Sequence, residues 1–155
     1  MPVQRLKEFL DERRVHYVTM VHSPAYTAQQ VAEATHIPGA ELAKTVILKL
    51  DGKMAMAVVP ASYRVHMGKL AEAVGCTACT LAEEREIAKL FPGCEVGAMP
   101  PFGNLWGMPV YVSETLAADE QIAFSAGTHT EVMVMRFEDF RRLVEPWVLR
   151  FSEHV

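Results

Sequence analysis

The stretch that decides the fold is KTVILKL (44–50), DG (51–52), MAMAVV (54–59). The first arm is almost entirely apolar or β-branched, which favours an extended strand. Asp51-Gly52 is the dipeptide of a two-residue hairpin turn, because both positions tolerate positive φ. The second arm returns as a partner strand, and Pro60 is expected to close it. Moving towards the C-terminus, HMGKLAEAV (66–74) and LAEEREIAKLF (81–91) read as two short helices, the second capped by Thr80 with Glu83 three residues on. Residues 92–109 (PGCEVGAMPPFGNLWGMP) hold four prolines and four glycines and read as a loop. Its Val96, Met99, Phe102, Leu105 and Trp106 argue that it packs onto the protein. VYVS (110–113), QIAFS (121–125) and EVMVMR (131–136) read as strands, and FEDFRRLVE (137–145) as a helix with Phe137, Phe140 and Leu143 inward.

Towards the N-terminus, VHYVTMV (15–21) reads as a strand. Thr27 followed by Gln30 has the spacing of a capping box, so a helix is expected from Thr27 to about Thr35, stopped by Ile37-Pro38-Gly39. Val3, Leu6, Phe9 and Leu10 recur at helical spacing among charges in residues 3–14. The order is α, β, α, ββ, αα, loop, βββ, α. Strands outnumber those of a regular βαβ alternation, so the expected class is α+β with a mixed, curled sheet.

Composition narrows the function. The 155 residues are 50% hydrophobic and 22% charged, the balance of a folded protein, and we expect one domain over 1–155. No apolar run approaches the ~20 residues that span a bilayer, so no membrane role is expected. Charges interleave with Leu6, Phe9 and Leu10, unlike a secretory leader. Cys76, Cys79 and Cys94 are too few, and odd in number, for a disulfide scaffold, which points to a reducing, cytoplasmic compartment. The net charge of −4 lacks the basic excess of proteins that grip long nucleic acids, so DNA binding is not expected. A local patch can still hold the end of a nucleic acid. Arg64, Lys69, Arg141 and Arg142 are candidates for that, or form an ordinary solvated face.

Three places can carry chemistry. Lys44 stands where a loop enters an apolar strand; it either points into a cleft and holds an anion or carbonyl, or snorkels at the strand end. VGAMPPFGN (96–104) combines rigid prolines with glycines that allow close approach, so it either presents backbone groups to a ligand or closes over the core. SAGTHTE (125–131) places Gly127 at a tight turn, with His129 near a strand end and the hydroxyls of Ser125, Thr128 and Thr130 around it. His129 is a cleft residue or a structural one, and the hydroxyls bind a ligand or their own backbone. The six histidines show no zinc-ligand spacing, and the isolated CxxC at 76–79 lacks a second pair, so no metal and no cofactor are expected. Phosphate-loop, dinucleotide and serine-hydrolase motifs are absent.

Four segments, HSPAYT (22–27), ELAKTVILKL (41–50), VGAMPPFGN (96–104) and SAGTHTEVMV (125–134), occur in the order seen in one family. The chain resembles the YbaK/EbsC family, related to the editing insertion of bacterial prolyl-tRNA synthetases. That resemblance implies a mixed, partly barrel-like sheet flanked by helices. It also implies trans-editing: hydrolysis of the ester joining a wrong, small amino acid such as Ala or Cys to a tRNA, with tRNA-Pro the first expectation. Lys44, Gly97 and His129 are the implied catalytic residues. The implied substrate-binding residues are His22, Tyr26, Thr27, Pro101, Phe102, Gly103, Gly127 and Thr128. The implied partners are the acceptor end of an aminoacyl-tRNA and a prolyl-tRNA synthetase. The cysteinyl-tRNA-Pro deacylase branch has a basic residue at the place of His129 and a glycine at that of Thr130. His129 is instead similar to alanine-editing members. The alternatives are a non-catalytic module that binds aminoacyl-tRNA or a synthetase, and a hydrolase acting on another small acyl ester.

Overall fold

The computed structural model describes residues 2–154. The central hairpin forms from β2 (Leu42–Leu50) and β3 (Lys53–Pro60), paired from Leu50↔Lys53 to Ala43↔Pro60. It is preceded in the chain by β1 (Tyr17–Val21). Asp51 and Gly52 have φ of +50° and +83°, the two positive values that let a two-residue turn match strand twist. The Asp51 carboxylate also accepts the N–H groups of Thr77 and Ala78, which ties the turn to the next segment.

The β3 side of the hairpin is extended in parallel by β6 (Val110–Ser113) and then β9 (Trp147–Leu149). The outer edge of β2 is shared. Its start pairs in parallel with β7 (Gln121–Ser125), at Leu42↔Ala123 and Ala43↔Phe124. Its end pairs antiparallel with β5 (Cys79–Leu81), from Leu48↔Leu81 to Leu50↔Cys79. Beyond β7, β8 (Glu131–Arg136) and then β1 continue antiparallel, giving the order β1-β8-β7-β2-β3-β6-β9. A separate two-stranded sheet joins β4 (Tyr63–Val65) to β10 (Ser152–His154). The α+β class and mixed sheet are as read from the sequence.

Among the described residues six α-helices flank the sheets: α1 (Pro2–Glu12), α2 (Ala28–Thr35), α3 (Met67–Val74), α4 (Glu84–Leu90), α5 (Glu114–Ala117) and α6 (Phe137–Val144). Thr27 and Gln30 form both halves of the expected capping box on α2. The α4 boundary corrects the sequence reading. Thr80 lies in β5, and Glu83 with Glu86 makes the box instead, because strand pairing to β2 holds residues 79–81 extended. Pro60 is the last residue of β3, as expected, and a turn at 61–62 leads into β4. Among the described residues no helix is long and apolar enough to cross a membrane.

The core divides between the two faces of the hairpin, as side-chain alternation requires. Ala43 and Ile47 join the largest cluster, with Leu6 and Leu10 of α1 and Phe137 and Phe140 of α6. Val3 shares the expected apolar stripe of α1, but its side chain lies outside the described residues. Val46, Leu48 and Leu50 face the second cluster, with Leu70 of α3 and Phe151. Val31 of α2 packs on Leu42, Ala123 and Val132 in a third.

The Gly/Pro loop is anchored in the first cluster. Phe102 is fully buried, with ring centroids 5.3 Å from Phe140, 5.5 Å from Phe124 and 6.3 Å from Phe9. Gly103 opens a 3₁₀ turn (Gly103–Trp106) so tightly packed that a Cβ there would sit 2.7 Å from Val110 Cγ2 and 2.9 Å from the Met108 carbonyl oxygen. Phe102→Ala is therefore expected to cost about 3–5 kcal/mol, the range for emptying a buried aromatic site. A urea denaturation midpoint unchanged from wild type would contradict this placement.

Candidate active site

β5 and β7 approach the outer edge of β2 from opposite ends and, among the described residues, leave those between Ala43 and Leu48 without a strand partner on that edge. Within that interval the Ala82 N–H donates to the Ile47 carbonyl at 3.1 Å. A cleft of about 410 Å³ opens there, within the range typical of small-molecule sites. Lys44, Thr45, Val46 and Ile47 form one wall, and Tyr26, Thr27 and Val31 come from the start of α2. Gly97, Met99, Ser125 and His129 close the opposite side. The walls are largely apolar, with few polar groups converging.

Three loops are stitched together to build that side. The Glu95 N–H donates to the Gly127 carbonyl, and the Gly127 N–H donates to the Ala98 carbonyl, both at 2.8 Å. The His22 N–H donates to the Thr130 carbonyl at 2.8 Å, and the Ala25 N–H to the His129 carbonyl at 3.1 Å. Segments around 22–26, 95–98 and 127–130 are thus a single braced unit. Gly97 and Gly127 bend the chain with φ of +92° and +106°, values that L side chains adopt at a cost. At Gly97 conformation decides, since an added Cβ would meet His129 Cε1 at an ordinary 3.6 Å.

His129 is packed on several sides. Its side chain is 14% exposed, its ring lies 5.0 Å from that of Tyr26 at a tilt of 53°, and its Nε2 lies 3.5 Å from Glu95 Oε2. The same Oε2 accepts the His129 backbone N–H at 3.0 Å. Tyr26 itself is 69% exposed and forms an aromatic shelf at the cleft rim. Lys44 is half-buried; its Nζ donates to the Tyr63 carbonyl at 2.7 Å, and burial lowers its pKa from the ordinary 10.5. That bond fixes the ammonium against β4 at the cleft wall, instead of leaving it to snorkel. Among the described residues the acceptor of the Gly97 N–H is the Met99 sulfur at 3.3 Å, a weak one.

Of the residues named from the sequence, Lys44, Tyr26, Thr27, Gly97 and His129 line this cleft. Gly127 and Thr128 stand just behind it in the braced loops, where Thr128 Oγ1 lies 3.3 Å from Thr130 Oγ1. His22 is set back as well: its Nδ1 donates to the Ser23 carbonyl at 2.7 Å, while its buried Nε2 has no partner among the described residues. Pro101, Phe102 and Gly103 are buried in the core and do not line the cleft, because the apolar half of the Gly/Pro loop serves as its anchor. The reading missed Glu95, whose partner is 34 positions away. A carboxylate one residue before the VGAMPPFGN segment was the available signal. Of the basic candidates, Arg64 is paired with Glu153 at 2.9 Å and Arg142 with Asp139 at 3.1 Å.

Other reactive side chains are poorly placed for catalysis. Burial pushes the Cys94 thiol up to about 11, so it is not a thiolate nucleophile at neutral pH. Cys76 and Cys79 are free thiols, and Cys79 lies 3.9 Å from the Met67 sulfur. No group of three or more metal-ligating side chains occurs among the described residues.

Residues 22–143 match the aminoacyl-tRNA editing domain family. Over 153 residues the chain is 24% identical to the multifunctional Ser/Thr-tRNA deacylase ProXp-y of Escherichia coli K12, covering 96% of this chain and 91% of that protein. The fold is shared with a candidate trans-editing enzyme for prolyl tRNA synthetase, with a TM-score of 0.82, 22% identity and coverage of 98% and 97% of the two chains. It is also shared with hypothetical protein APE2540, with a TM-score of 0.86, 20% identity and coverage of 96% and 99%. The family match takes in the cleft and all three braced loops, and editing of an aminoacyl-tRNA is deacylation: the chain belongs to the aminoacyl-tRNA editing domain family and is an aminoacyl-tRNA deacylase.

Proposed function

We propose that the protein removes a small amino acid from the 3′ end of a mischarged tRNA, in the cleft between Lys44 and His129. The observation that carries this reading is the gap in the edge of β2. It sets an apolar cavity, a half-buried ammonium and a histidine around a space sized for an aminoacyl group and part of its nucleotide. An aminoacyl ester is already activated, so orientation of a water or ribose hydroxyl beside the carbonyl supplies much of the acceleration. The Gly97 N–H is the donor best suited to the developing oxyanion, because leaving the Met99 sulfur costs it little. The Gly127 and His129 N–H groups are already committed to Ala98 and Glu95. Lys44 is the group that meets negative charge on the tRNA end, and His129 the one that handles a proton at the ester.

Apolar cleft walls select by size, at about 1–3 kcal/mol per methylene. Serine and threonine, named in the E. coli relative's activity, therefore join alanine and cysteine as candidates. Discrimination this coarse leaves room for a synthetase partner or for the tRNA itself. The name of the structural relative makes tRNA-Pro and its synthetase the first to test, in the cytoplasm where charged tRNA is used.

The direct test charges tRNA-Pro with Ala, Cys, Ser or Pro, and tRNA-Ala, tRNA-Ser and tRNA-Thr with their own amino acids. Selective loss of one or more small-side-chain esters is expected. Binding of the same tRNAs without hydrolysis, with synthetase added and the fold intact, would overturn this choice of substrates. His129→Ala is expected to slow single-turnover deacylation by about 10²-fold, the lower range for a proton-handling group. Wild-type rates in that variant would reduce His129 to a packing residue. Lys44→Ala is expected to weaken substrate binding by about 10–100-fold, as for a lost hydrogen bond to a charged group. Since it also strips a partner from the Tyr63 carbonyl, circular dichroism must show the variant folded before the binding is read.

A further inference from the structure

We propose that Glu95 is a positioning residue that sets the orientation and tautomer of His129. This deepens the reading above and rests on it for its catalytic consequence. One carboxylate oxygen, Oε2, meets His129 at two points. It accepts the backbone N–H at 3.0 Å and stands 3.5 Å from ring Nε2. The backbone bond fixes the residue that bears the ring, and the ring contact fixes its rotation. The Tyr26 ring lies 5.0 Å from the imidazole between centroids, tilted by 53°, and only 14% of the His129 side chain is exposed.

Glu95 is itself held. Its N–H donates to the Gly127 carbonyl at 2.8 Å, and its carbonyl accepts the Ala98 N–H at 3.0 Å. The carboxylate is therefore launched from a turn braced against the loop that carries His129. An ionised carboxylate only accepts hydrogen bonds. The nitrogen beside it thus carries the hydrogen, and in a neutral ring the other nitrogen becomes the acceptor. Glu95 accordingly selects the Nε2–H tautomer and leaves Nδ1 as the basic atom. Catalytic contacts are often long without substrate and tighten when it binds, and the 3.5 Å separation is of that resting kind. The carboxylate does not reach the reacting ester in this scheme; it acts through the histidine.

Two readouts test the inference separately. In the first, single-turnover deacylation is measured for wild type, Glu95→Ala, Glu95→Gln, His129→Ala and the Glu95→Ala/His129→Ala double variant. Glu95→Ala is expected to lower the rate constant by about 10–100-fold, the effect of carboxylates that orient a working histidine elsewhere, with substrate affinity little changed. Glu95→Gln keeps an acceptor oxygen and is expected to fall between Glu95→Ala and wild type. The double variant is expected to be no slower than His129→Ala alone. A full further loss in the double variant, or a wild-type rate in Glu95→Ala, would overturn the proposal. The second readout needs no substrate: the ¹⁵N shifts of the neutral His129 ring. A dominant Nε2–H tautomer in wild type that becomes mixed in Glu95→Ala is expected, and unchanged populations would overturn the assignment. Should wild type deacylate none of the charged tRNAs, the proposed function fails, whereas the ring shifts still decide the role of Glu95.

Discussion

The structure depends on how the outer edge of β2 is occupied. β3 takes the inner edge along nearly its whole length, and the outer edge must be covered by other strands. Two cover it, from opposite ends and in opposite senses: β7 parallel at Leu42–Ala43, β5 antiparallel at Leu48–Leu50. Neither reaches the middle. A sheet edge buried without partners is costly, yet an edge open to a solvated cleft keeps its backbone groups wet. The same gap lets side chains from both faces of β2 reach one space, which a continuous sheet would keep apart. Lys44 and Thr45 point to opposite faces by alternation and still both line the cleft.

The far wall of the cleft is a problem of holding irregular backbone still. Loops lose conformational entropy when ordered, and polar groups within them need partners. Here the loops satisfy one another, through bonds between Glu95 and Gly127, Gly127 and Ala98, His22 and Thr130, and Ala25 and His129. Phe102 and its aromatic neighbours then hold the unit to the core. This division separates neighbouring residues by task. In 95–103 the first half faces the cleft and the second half is buried anchor. It also sorts the hydrogen-bond donors, since most N–H groups of the loops are used internally and Gly97 retains only a weak sulfur contact.

The signals legible along the chain were local. Alternating and β-branched runs, the Asp51-Gly52 turn, the Thr27/Gln30 capping box and the amphipathic C-terminal helix are each encoded within about ten residues, and each formed. The family's four segments could be recognised for the same reason. Elements of three residues, β4, β5, β9 and β10, are too short to show a period and exist only because a partner strand lies beside them. β5 even overrode a local capping signal at Thr80. At the site, residue types were legible but roles were not. Lys44 was visible at a strand mouth, whereas its bond to the Tyr63 carbonyl was not. Phe102 was visible in a ligand-like loop, whereas its burial was not. Glu95 had no reading until the fold brought it to His129. Tertiary structure alone decided these, because they depend on which distant segments share an edge or a loop junction, and no spacing along the chain records that.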